Sequence, residues 1–300
     1  MEPRPPPSTP PSTPPSLSPA PSPSPSPSPS IIVIKLGTSS IVDESSHLPR
    51  LSNLSLLVET VTTLKARGHH VVLVTSGAIG MGLKRLGLDK RPDTLAQKQA
   101  VAAVGQGRLM ALYDDLFRQF AQPIAQVLLT RDNLEEGSQH RNACNTFREL
   151  LALGVVPIVN ENDTVSTLEI RFGDNDTLSA VTAAMLSAHF LFLLTDVDCL
   201  YTDNPRTCPH ATPVRLVDDV AKLRETVTVT TPGSALGTGG MITKLLAADL
   251  ATAAGVRMVI STGSAPQRII QILDEIAAAD PALPFVPTIG THFLPKLKVA

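Results

Sequence analysis

The sequence predicts an α/β protein, a mainly parallel open sheet sandwiched between helix layers. Three observations predict it. Five short aliphatic runs, IIVIKLGTSS, HVVLVTSGAIG, QVLLTRD, VVPIVNEND and FLFLLTDVD, each end in small, polar or acidic residues, as strands covered on both faces do. Segments with apolar residues at helical spacing separate them, and such alternation gives a parallel sheet with right-handed crossovers. With 300 residues at 43% hydrophobic content, the chain can bury a sizeable core in one large α/β domain or two small ones. A single domain is expected.

The elements follow in order. Residues 3–30 are almost entirely Pro, Ser and Thr and hold more than half of the 27 prolines. Such a leader cannot form a packed core and is expected to be extended or disordered. It has neither the apolar stretch of a signal peptide nor the arginines of a transit peptide. The first strand starts at Ile31, carries Lys35 at its carboxyl end and breaks at Gly37. Residues 51–67 set Leu54, Leu57, Val58, Val61 and Leu64 on one helical face that ends near Gly68. Strand 71–75 completes a β-α-β unit, SGAIGMGLKRLG reads as a glycine-rich stretch at its end, and a long helix covers about 95–121. Strand 124–129, helix 141–153 and strand 155–159 continue the alternation, and 160–176 is a polar stretch. Helix 177–188 and strand 190–194 follow, then a hairpin or excursion between 198 and 219 and the glycine loop TPGSALGTGGM. Helix 242–254, strand 256–261 and helix 267–279 close the domain. The expected organisation is a leader over 1–30, one folded domain over 31–280 and a C-terminal extension over 281–300.

Composition removes several function classes. A net charge of −2 and 3% aromatics without Trp give no basic surface or stacking platform for nucleic acid. No run approaches the roughly 18 apolar residues of a membrane span. The three cysteines, Cys144, Cys199 and Cys208, have no C-x-x-C spacing, which disfavours a disulfide framework or zinc site and fits a reducing, cytoplasmic compartment.

The chemistry lies in four small-residue loops: Gly37-Thr38-Ser39, Ser76-Gly77-Ala78, Gly173-Asp174-Asn175-Asp176 and 237–240. Loops of this kind let backbone N–H groups approach phosphate oxygens, most usefully at a helix N-terminus. The sequence has no G-x-x-x-x-G-K-[ST], no G-x-G-x-x-G after the first strand and no H-R-D or D-F-G, so P-loop and protein-kinase patterns are excluded and a dinucleotide site is disfavoured. Phosphoryl transfer asks mainly for positioning and positive charge. Lys35 and Lys244 each project from such a loop. The acidic and amide residues of NEND and GDND suit metal ligation, orientation of lysines and a substrate ammonium, or plain solvation; their spacing does not choose.

Seven motifs then fall in one order: KLGTS (35–39), TSGAI (75–79), VNEND (159–163), FGDND (172–176), LLTD (193–196), LYT followed by NPR (200–206) and GTGGMITK (237–244). From about residue 31 to 279 the chain resembles the amino acid kinase family, nearest to its glutamate 5-kinase branch. The resemblance implies an amino-acid-kinase-like domain in which ATP, with Mg²⁺ on its phosphates, phosphorylates the γ-carboxylate of L-glutamate, the first step towards proline. Lys35 would contact the transferring phosphate, Lys244 would stabilise it from the nucleotide side, and Asp176 would orient both lysines. ATP binding falls to Lys35, Thr195 and Asp196 with Thr238, Gly239, Gly240, Met241, Ile242, Thr243 and Lys244, and the amino acid to Ser76, Asp163 and Asn175. No residue is assigned as a metal ligand. An acceptor carboxylate with a reference pKa of about 4.3 is already ionised at pH 7 and needs no general base. Asp163 offers the substrate ammonium a charged partner, which favours free glutamate over N-acetylglutamate. Aspartate, N-acetylglutamate or nucleoside monophosphate acceptors are the alternatives, as is a catalytically silent homologue. The resemblance further implies a homo-oligomer, here without the small PUA domain that many members carry. Proline, which shares the α-carboxylate and α-ammonium, would enter the glutamate pocket unreacted and act as a feedback inhibitor.

Overall fold

The computed structural model describes residues 29–130, 137–166, 175–203, 208, 210–226, 240–280 and 282–296. The leader through 28, Gly173 and Asp174, and the glycine loop as far as Gly239 lie outside the described residues.

Along the chain come β1 (Ile31–Leu36), α1 (Thr38–Ile41), α2 (Leu51–Ala66), β2 (His70–Thr75), α3 (Ala78–Leu86), α4 (Leu95–Arg118), β3 (Ile124–Leu129) and α5 (Ser138–Ala152). They are followed by β4 (Val156–Glu161), α6 (Asn175–Met185), β5 (Phe190–Thr195), β6 (Leu200–Tyr201), β7 (Pro213–Val214) and β8 (Leu216–Val217). The chain continues with α7 (Val220–Thr226), α8 (Met241–Ala253), β9 (Arg257–Thr262), α9 (Arg268–Ala278) and β10 (Thr291–Phe293). Eight strands make one sheet in the order β3-β4-β2-β1-β5-β9-β10-β8. All neighbours pair parallel except β9 and β10. Among the described residues, β6 and β7 stand apart from it as an antiparallel pair within the expected excursion.

Strand periodicity decides what each face of the sheet carries. Ile32, Ile34 and Leu36 of β1 join a buried cluster with α2, α4 and α9, whereas Val33 joins the opposite cluster with α5, α6 and α8. Lys35 has the parity of Val33. It is therefore delivered to the face covered by α6 and α8. The chain passes from β1 to β2 on one side and later reaches β5 on the other, so the carboxyl end of β1 is the topological switch point, where open α/β sheets leave a crevice for ligands.

The structure departs from the sequence reading in four places. The glycine-rich stretch after β2 is a helix, α3, because its glycines are contact surfaces: a Cβ on Gly82 would lie 2.0 Å from the Val101 carbonyl oxygen, and one on Gly105 of α4 1.7 Å from that of Ala78. Only backbones without side chains can approach so closely. A further turn of helix, α1, follows Gly37 directly. The polar stretch is shorter than expected at both ends, since β4 runs to Glu161 and α6 begins at Asn175. Last, the sheet does not close at α9; β10 and β8 extend it, with Thr291, His292 and Phe293 all buried.

Candidate active site

Three side chains from separate elements meet below the carboxyl end of β1. Asp176, in the first turn of α6, is fully buried and takes an ammonium on each oxygen: Lys35 Nζ lies 2.5 Å from Oδ1, and Lys244 Nζ of α8 lies 3.2 Å from Oδ2. Thr243 Oγ1 also donates to Oδ2, at 3.1 Å, and to the Gly240 carbonyl, at 2.8 Å. Burial pushes the Asp176 carboxyl up, but the charges of Lys35 and Lys244 and their hydrogen bonds outweigh it and hold the group down at about 2. The start of α6 adds to this, since a helix N-terminus favours an anion. Lys35 is 6% and Lys244 9% exposed. One aspartate against two lysines leaves a net positive charge in a nearly dry place, and that excess suits an incoming phosphate.

Of the residues expected on the nucleotide side, those from Gly240 to Lys244 start α8 beside this triad. Gly240 precedes α8 without a side-chain cap, and uncapped first-turn N–H groups can face an anion. Met241 is half-buried against the core, while Ile242 is 68% exposed. Thr238 and Gly239 lie outside the described residues. Thr195 and Asp196 stand at the carboxyl end of β5, next to β1, with Thr195 Oγ1 donating to Asp196 at 3.0 Å. The Gly37 N–H donates to the Leu194 carbonyl and the Gly263 N–H to that of Thr195, which ties the ends of β1, β5 and β9 together.

On the other side of β1, the Asn175 amide nitrogen donates to the Thr75 carbonyl at 2.9 Å and to Ser76 Oγ at 2.8 Å. Ser76 precedes Gly77, whose φ of 98° only glycine adopts freely, and this turn starts α3 beside the strand end. Asp163 lies half-buried in the turn after β4. The structure thus brings Lys35, Asp176, Lys244 and Thr243 together, sets Ser76 and Asn175 against each other, and leaves Asp163 on a neighbouring turn.

The sequence reading missed Asn160 and Gln106. Asn160 is 3% exposed at the end of β4; its amide nitrogen donates to Gln106 Oε1 at 2.9 Å, and its oxygen accepts from Asn175 at 3.1 Å and from the Glu161 N–H at 2.9 Å. A signal existed for Asn160, because it closes an aliphatic run as Lys35 does. Gln106, in mid-helix, gave none.

Comparison with known proteins gives the family and the fold. Residues 30–261 match the model of the amino acid kinase family. The chain is 59% identical over 265 residues to a probable glutamate 5-kinase of Schizosaccharomyces pombe, covering 88% of this chain and 65% of that protein. It is 52% identical to a glutamate 5-kinase of Nostoc punctiforme, covering 88% and 69%. Against the first of these relatives, therefore, the chain spans a little under two thirds of their length. Among solved structures, the carbamate kinase of Giardia lamblia bound to AMP-PNP matches with a TM-score of 0.61 at 14% identity, covering 89% of this chain and 99% of that one. The UMP kinase of Ureaplasma parvum matches at 0.56 and 16%, covering 82% and 95%. These two share the fold. By motif order, fold and the family match over most of its length, the chain belongs to the amino acid kinase family.

Proposed function

We propose that this protein transfers the γ-phosphoryl group of ATP to the γ-carboxylate of L-glutamate, giving glutamyl 5-phosphate and ADP. The observation that carries it is the buried Lys35–Asp176–Lys244 triad at the switch point; relatives named glutamate 5-kinase at 52% and 59% identity support the choice of acceptor.

In this reading a γ-carboxylate oxygen of glutamate attacks the γ-phosphorus in line, and the bond to the bridging oxygen of ADP breaks. The nucleophile is ionised at neutral pH, so no base is needed. What the protein supplies is alignment and charge. Lys35 stands on the acceptor side of the moving phosphoryl group and Lys244 on the nucleotide side. Asp176 holds both ammonium groups in place. Thr195, Asp196 and Gly240 to Lys244, continued by Thr238 and Gly239, receive the nucleotide; Ser76, Asn175 and Asp163 receive the amino acid, with Asp163 opposite its ammonium. Both oxygens of Asp176 are occupied by Lys35, Thr243 and Lys244, so Asp176 is not offered to a metal, and Mg²⁺ enters on the ATP phosphates as part of the substrate. Proline would occupy the same amino acid pocket and compete with glutamate. A cytoplasmic homo-oligomer remains part of the proposal.

The test is a panel of acceptors assayed for ADP release: glutamate, aspartate, N-acetylglutamate, carbamate and UMP. Glutamate should exceed every other acceptor in kcat/KM by at least about a hundredfold, the discrimination expected when a site leaves charged groups unpaired with the wrong substrate. Preference for another acceptor would overturn the assignment.

A further inference from the structure

We infer that Gln106 is a positioning residue for the acceptor side of the site, fixing through Asn160 the direction in which the Asn175 amide faces. The inference rests on the glutamate reading above.

Two backbone groups anchor the network. The Thr75 carbonyl can only accept, so the group that Asn175 turns to it at 2.9 Å is its nitrogen, and the Asn175 carbonyl oxygen is presented on the opposite side. The Glu161 N–H can only donate, so Asn160 meets it with its oxygen at 2.9 Å. That orientation aims the Asn160 nitrogen at Gln106, whose Oε1 accepts it at 2.9 Å. The same Asn160 oxygen takes the Asn175 nitrogen at 3.1 Å. Reversing the Gln106 amide would set two NH₂ groups face to face. If Asn160 then turned to relieve that clash, its nitrogen would confront the Glu161 N–H and the Asn175 nitrogen. The three amide orientations are therefore linked, and Gln106 holds one end.

The cost to Gln106 argues that this link has a use. Its Nε2 is buried and makes no hydrogen bond among the described residues, and an unmade buried donor is destabilising. A methionine of similar length would fill the space without that unmade donor, at the expense of the acceptor that Gln106 offers to Asn160. The preceding residue, Gly105, sets the helix backbone against the Ala78 carbonyl, which fixes the rotation of α4 and so the place from which Gln106 reaches the site.

The test compares wild type with Gln106→Met and Gln106→Glu, measuring KM for glutamate and for ATP, kcat, and melting temperature. Gln106→Met removes the acceptor and should raise KM for glutamate about fivefold to tenfold, the effect of one lost buried hydrogen bond. It should leave KM for ATP within about twofold and the melting temperature nearly unchanged, since the lost Asn160 partner and the removed unpaired Nε2 offset each other. Gln106→Glu keeps an acceptor opposite the Asn160 nitrogen and should return KM for glutamate to within about threefold of wild type. Unchanged KM for glutamate in Gln106→Met overturns the inference, as does equal impairment in both variants, which would make Nε2 the working atom. A parallel rise in both KM values with lower stability assigns Gln106 to packing and overturns it too. If Gln106→Met does not fold, Gln106→Glu decides alone, and a rise in its KM for glutamate beyond about tenfold counts against the role. Wild type inactive on glutamate fails the functional reading and this inference together, whereas active wild type with an unaffected methionine variant fails only the inference.

Discussion

Asp176 is the residue on which two lysines depend, and its removal and theirs should differ in kind. Asp176→Asn leaves two buried ammonium groups facing each other without an anion. We expect it to lower folding stability by about 3–5 kcal/mol as well as kcat, read by urea denaturation beside steady-state rates; full stability would show that Asp176 does not hold the lysines. Asp163→Ala should raise KM for glutamate far more than KM for ATP, since the partner proposed for it is the substrate ammonium, and equal changes would move Asp163 out of the proposed acceptor site. His292 sets the response to acid. It is fully buried, and its Nε2–H donates to the Ile289 carbonyl at 3.0 Å. Burial brings it down to about 4, helped by Arg257 and opposed by the Ile289 hydrogen bond and by Glu275. A folded value below the ordinary 6.5 means that the unfolded chain binds the proton first, so stability is lost as pH falls from about 6.5 to about 4. The full loss is about 3 kcal/mol. Buried His69, also shifted down by burial, acts in the same direction. Asp176, held near 2, keeps its charge throughout this window. Urea midpoints at pH 7 and pH 4.5 should therefore fall further in wild type than in His292→Gln; parallel falls would contradict the assignment.

At the scale of elements, the α3–α4 contact gives the sharpest test of packing. Gly105→Ala places a methyl against the Ala78 carbonyl and should cost about 2–3 kcal/mol. Gly107→Ala, two residues along the same helix with nothing within 4 Å of the added methyl, should gain about 0.5–1 kcal/mol from helix propensity. Equal effects on melting temperature would refute the close approach. These elements also mark how far the sequence could be read. The aliphatic strands were legible because burial on both faces forces a run such as Ile31 to Leu36, and α2 because its apolar stripe is regular. α3 was not, since its glycines look like turn residues until the partner backbone is known. β8 and β10 have two and three residues, too few for any periodicity to register. The site divided in the same way. Lys35 stood out as a charge closing an apolar run, and motif order drew in Asp176 and Lys244. Asn160 and Gln106 are joined only by folding, 54 positions apart.

For the whole molecule, strand order does the assembling. Placing β2 on one side of β1 and β5 on the other opens a crevice between Ser76 and Asn175, proposed for the acceptor, and the ends of β5 and α8, proposed for the nucleotide. The parity of β1 sends Lys35 into that crevice rather than into the face lined by α2 and α4. Lys244 reaches the same point from another element, so it can be removed without disturbing the strand, and Asp176 would still keep Lys35 and Thr243. The most direct measurement of the central claim is hydroxylamine trapping of the acyl phosphate formed from glutamate and ATP, run on wild type and on Lys244→Met with the fold checked by melting temperature. Wild type should form glutamyl hydroxamate in step with ADP, and Lys244→Met should fall by about a hundredfold to a thousandfold in kcat while remaining folded. ADP release without hydroxamate in wild type, or a folded Lys244→Met with undiminished turnover, would contradict the account.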